Sequence, residues 1–178
     1  MSKDSVYDGW LIQIDSLEQS TRSLSAHDDQ ASDNALRIGF QLFPVIDSVA
    51  YNLFEESGPR YLEELGYSTR DARLIFKVFR NGQLHNALTH RLAYEDGEVI
   101  WSMSSSAGSG DWRPHVEGVD RPFVYEWNDK NGVGHAYLRL SGLASQVRKD
   151  LEQRKSADGR DEVPFIVGQK LSGKAPKN

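Results

Sequence analysis

Cysteine is absent from all 178 residues, which excludes a disulfide framework, a thiolate metal site and a cysteine nucleophile. Long apolar runs are missing too. No stretch approaches the roughly eighteen apolar residues of a membrane span, and Met1-Ser2-Lys3-Asp4 lacks the basic start and apolar run of a secretory leader. The expectation is a soluble, cytoplasmic chain with no membrane partner. Positive charge is scarce overall, and a formal charge of −5 argues against a protein that coats nucleic acid indiscriminately. Motifs of other chemistries are lacking as well. The Ser/Gly-rich stretch at 102–109 has no following Gly-Lys-Ser/Thr and no helix start, so it is no phosphate loop, and no serine-protease or kinase signature occurs. There is no internal repeat.

Net positive charge is confined to one segment of the three. Residues 1–66 carry 4 basic and 12 acidic side chains, residues 67–91 carry 5 and 1, and residues 92–178 carry 12 and 13. A single basic segment inside an acidic chain suits a small phosphate ligand, or a short length of RNA held at one point, better than a long duplex footprint.

The length supports one core, and the expected layout is a single domain over 1–155 followed by a flexible tail over 156–178. A first helix is expected over 5–25, with Val6, Trp10, Ile14 and Leu17 at spacings of three and four and Leu11 and Leu24 widening the stripe. A second spans 32–54, with Leu36, Phe40, Phe43, Ile46, Val49, Leu53 and Phe54 as its apolar surface, and Pro44 predicts a kink or break near Gly39 to Phe43. A short helical piece over 60–65 ends at Gly66, and the next helix opens at Ser68 with a capping box completed by Asp71. Beyond Asn86 the pattern alternates. Strands at 91–94 and 99–103 flank Asp96-Gly97, and strands at 123–128 and 133–140 flank Asn131-Gly132, which predicts two antiparallel β-hairpins as an extension over about 89–140. Between them 104–122 reads as a long surface loop, and a C-terminal helix over 141–155 aligns Leu143, Val147 and Leu151. The fold class is therefore mainly α, in the α+β sense.

On the helix from Ser68, Arg70, Arg73, Lys77 and Arg80 fall at i, i+3, i+7 and i+10, opposite Leu74, Ile75, Val78 and Phe79. The stripe leads into Arg80-Asn81-Gly82-Gln83-Leu84-His85. An arginine keeps its charge and presents a fork of donors to phosphate, whereas a histidine titrates near neutrality and can pass protons. The Arg-Asn start and the four residues between Arg80 and His85 resemble the signature of HEPN domains (higher eukaryotes and prokaryotes nucleotide-binding), over about residues 5–90. The resemblance implies a helical bundle and a metal-independent endoribonuclease without cofactor. His85 would take the proton from a ribose 2′-hydroxyl, Arg80 would stabilise charge on the phosphorus oxygens, and Asn81 would orient Arg80 or the phosphate. The product would carry a 2′,3′-cyclic phosphate. It also implies a homodimer in which the partner supplies the second histidine, and a setting in defence or a toxin–antitoxin pair.

Other histidines carry less. His85 and His90 are five residues apart, a poor helical ligand pair with no carboxylate cluster nearby, so no metal site is expected. His115 and His135 are read as surface or core residues, and Trp112 with Arg113 either stacks on a base or anchors the loop. Two further readings stay open. One is a noncatalytic module that uses Arg80 and His85 to hold a nucleotide or RNA phosphate or to dimerise, with Arg70, Arg73 and Lys77 as substrate contacts in either case. The other is an α+β protein in which Arg80 and His85 merely satisfy a turn.

Overall fold

The computed structural model describes residues 4–23, 31–81, 91–94, 97–104, 122–128 and 132–158. Helix α1 is Asp4–Ser23 and α2 is Ala31–Phe54. On α1, Trp10, Ile14 and Leu17 of the expected stripe are buried; Val6 and Leu11 are half-buried against the core, and Tyr7, outside the expected stripe, is buried with it. Helix α2 runs unbroken through Pro44. The ring removes one backbone bond there, but Leu42, Phe43, Val45 and Ile46 on either side are buried and hold the helix by packing, which corrects the expected break. Phe40 is also not core, being 42% exposed; Ile38, Leu42, Val45, Ile46, Val49 and Ala50 form the inner face instead. Leu24 lies outside the described residues, and the side chain of Leu36 lies outside them too.

Helix α3, Gly58–Glu64, carries a proline in its first turn, where a missing N–H costs nothing. Tyr61 and Leu62 are its buried residues along with Gly58. Helix α4, Thr69–Ile75, starts as expected, with Ser68 Oγ accepting from the Asp71 N–H at 3.1 Å. It continues into a wider π-helical segment, Phe76–Asn81.

Strands β1 (Arg91–Tyr94), β2 (Gly97–Ser104), β3 (Phe123–Asn128) and β4 (Val133–Arg139) follow. Both expected hairpins form, with β1 antiparallel to β2 and β3 antiparallel to β4. Pairing of β1 with β2 reaches Tyr94↔Gly97, so Gly97 belongs to the strand rather than to the turn. Gly132, at φ +62°, occupies the left-handed region that a side chain would disfavour. The hairpins are not separate. Strand β2 lies parallel to β4 over Glu98↔Val133 to Ser104↔Arg139, giving one mixed sheet in the order β1-β2-β4-β3.

This joining has a simple cause. Val99, Trp101, Phe123, Ala136 and Leu138 are buried, and the pairing places them on one face of the sheet. A single hairpin could not bury such a face alone. The face meets the π-helical segment, where Phe79 stands edge-on to Trp101 at 5.8 Å and to Phe123 at 6.1 Å. Helix α5, Leu140–Asp158, closes the core with Leu143, Val147 and Leu151, and one hydrophobic cluster joins all five helices to the sheet. Helix α5 takes in 156–158 of the expected tail; residues 159–178, and 105–121 of the expected loop, lie outside the described residues.

Charge frames the apolar core. Arg148 of α5 reaches Asp15 and Glu18 of α1, the latter at 3.1 Å, and Lys155 meets Asp8 at 2.6 Å. Tyr61 donates its hydroxyl to Asp150 at 2.8 Å, and Arg154 donates to the same carboxylate at 2.7 Å.

Candidate phosphate site

The site begins with the change of helical pitch at Phe76. A π turn advances each residue through a smaller angle than an α turn, so a side chain near its end lags behind the stripe that α-helical spacing would extend. Lys77 and Arg80 both lie in this wider segment, whereas Arg70 and Arg73 lie in α4. The cation at Arg70 leans toward the sheet, its guanidinium carbon 5.0 Å from the Tyr125 ring centre on β3. Arg80 turns toward α2, with Nη2 3.4 Å from Asp47 Oδ2. Of the four cations, Arg70, Arg73 and Lys77 are exposed, and Arg80 is half-buried beside Asp47.

Two groups hold the Arg80 guanidinium, one through a hydrogen bond and one through an ion pair. Nη1 donates to Asn81 Oδ1 at 2.9 Å. Asp47 supplies the second. Its other oxygen, Oδ1, accepts from the Gly58 N–H at 3.2 Å, and this fixes the carboxylate from the opposite side. Ser57, the residue in position to cap α3, makes no side-chain cap bond; Asp47 does that work from α2. The arrangement requires glycine at 58, because a Cβ there would lie 1.9 Å from Phe76 Cζ and 2.7 Å from Asp47 Oδ1. Phe76 is itself set by an edge contact with Phe43 of α2 at 5.5 Å. Asp47, Gly58, Phe76 and Arg80 therefore form one joint between α2, α3 and the end of α4.

The joint is partly open to solvent, with 41% of the Arg80 side chain and 33% of the Asp47 side chain exposed. A guanidinium has five N–H donors, so the two contacts leave capacity for a further acceptor such as a phosphate oxygen. His85, His90, Trp112, Arg113 and His115 lie outside the described residues. His135 sits on the outer face of β4, its ring stacked on Tyr137 at 6.3 Å. Among the described residues no group of three or more histidines and carboxylates could hold a metal ion, and no helix is long and apolar enough to cross a membrane.

Asp47 and Gly58 are the site residues that sequence reading missed. A signal existed, because Asp47 is the sole acidic residue between 34 and 54 in an otherwise apolar helix, and an isolated carboxylate in such a setting requires a partner. No family model, curated protein or solved structure matches the chain.

Proposed function

We propose that the chain is a HEPN-like, metal-independent endoribonuclease in which Arg80 binds and stabilises the scissile phosphate and His85 removes the 2′-hydroxyl proton. The observation that carries the reading is the Arg80 guanidinium, half exposed, held by Asn81 and Asp47, and standing at the end of the basic helix five residues before His85. A fixed guanidinium is worth more to a phosphorane-like transition state than a mobile one, because its orientation does not have to be bought during the reaction. Arg70, Arg73 and Lys77 would draw in the strand. One motif per chain supplies one proton-transfer histidine from this segment, so the reading includes a homodimer in which a second His85 protonates the leaving 5′-oxygen. DNA, without the 2′-hydroxyl, would not react.

The test is cleavage of single-stranded RNA in EDTA. His85→Ala should abolish it with the fold retained, Arg80→Ala should act similarly, and Arg80→Lys should restore only part, since an ammonium does not reproduce the guanidinium fork. Cleavage that survives His85→Ala, or that stops with EDTA, overturns the mechanism. A noncatalytic phosphate-binding module is the second reading. It is favoured by the Asp47 contact, which satisfies Arg80 without any histidine. The pH profile separates the two: an acid–base histidine pair gives a bell-shaped rate in the imidazole range, whereas a binding module gives no turnover at any pH.

A further inference from the structure

The geometry points to Asp47 as a built-in competitor for the anion that Arg80 binds, so that the carboxylate sets how tightly the site holds a phosphodiester. The inference rests on the phosphate-binding role proposed for Arg80. Asp47 cannot swing away freely when a phosphate arrives, because Oδ1 is occupied by the Gly58 N–H at 3.2 Å and Oδ2 faces Arg80 Nη2 at 3.4 Å. Any phosphate oxygen that shares this guanidinium therefore comes close to a fixed negative charge. The site is partly exposed, so the repulsion is moderated by solvent but not abolished.

The consequence is selective. A weak anion, or one phosphate of a strand not otherwise held, gains little from a guanidinium that already has a carboxylate partner. A strand gripped at the same time by Arg70, Arg73 or Lys77 can offset the repulsion. Asp47 would thus keep the site from filling with free phosphate and reserve it for polynucleotide. Asn81 does not share this role, since its amide is neutral and its Oδ1 accepts from Nη1 without opposing an anion.

The experiment measures binding of a fluorescent 2′-O-methyl oligouridylate, whose blocked 2′-oxygen prevents cleavage, by anisotropy at low salt. Asp47→Asn keeps an oxygen that can accept from the Gly58 N–H and removes the charge. It should tighten binding by on the order of tenfold, and the gain should vanish in the Arg80→Ala background. Asp47→Ser, which keeps a smaller acceptor, should shift affinity in the same direction, and circular dichroism checks that both variants are folded. If Arg80→Ala weakens binding but neither Asp47 variant tightens it, the competitor role is wrong and the phosphate role of Arg80 stands. An equal gain with and without Arg80 also overturns the competitor role, because the effect is then one of overall charge. If Arg80→Ala leaves wild-type binding unchanged, the functional reading fails and the competitor role with it.

Discussion

At the scale of single residues, side chains that connect elements matter more than those that decorate them. Tyr61 is fully buried and donates to Asp150. Burial raises its pKa above the ordinary 10.0, and the Asp150 charge raises it further. For a group whose folded pKa is raised, stability is fully present below the unfolded value and is lost as pH climbs from that value toward the folded one. Wild-type stability should therefore fall above about pH 10 by up to about 1.4 kcal/mol per pH unit. Tyr61→Phe should cost about 1 kcal/mol near neutrality through the lost hydrogen bond and lack the alkaline component, so the two urea-derived stability curves should converge as pH rises. Parallel curves would refute the assignment. The residues of the Arg80 motif were legible as a string, because identity and spacing are local. The Asp47 contact was not, since Arg80 lies 33 positions further along the chain and only the packing of α2 on the π-helical segment brings them together.

Elements were legible where periodicity decides them and illegible where packing does. The starts and ends of α1, α2 and α5 follow from apolar spacing, and Ser68 marked the start of α4 by its cap. The π segment could not be read, because the residues from Phe76 to Phe79 satisfy an α-helical pattern equally well; its wider turn appears where Phe76 must meet Phe43 while Phe79 meets Trp101 and Phe123. Sheet assembly was hidden for a similar reason. Turn residues specify each hairpin locally, whereas the β2–β4 pairing is parallel and links segments far apart in the chain. Phe79 tests whether the sheet and the helices share one core. It is fully buried between the two, so Phe79→Ala should cost about 3–5 kcal/mol and lower the cooperative unfolding midpoint of helix and sheet signals together. Separate transitions for far-ultraviolet and Trp fluorescence signals would show that the hairpins fold as an independent unit.

For the whole molecule, the open question is what lies against the outer side of α2. Phe40, Pro44, Asp47 and Tyr51 recur at four, three and four residues and so share one side of the helix, and Phe40 and Tyr51 are among the few exposed large hydrophobics, at 42% and 41%. This strip includes the carboxylate that holds Arg80. A two-fold contact across it would bring two Arg80 sites near one axis, which the proposed chemistry requires if each subunit gives one histidine. Such a contact is self-complementary, since the same patch serves both copies, and burying aromatic side chains would supply its main drive. Sedimentation at tens of micromolar protein should then show a dimer. Phe40→Asp and Tyr51→Glu should shift it to monomer, because each places a like charge opposite its own copy. RNA cleavage should fall with the dimer, while thermal unfolding of the monomeric variant remains cooperative. Dimers that persist in both variants would move the interface elsewhere. A monomeric wild type with full cleavage activity would show that both proton transfers come from within one chain.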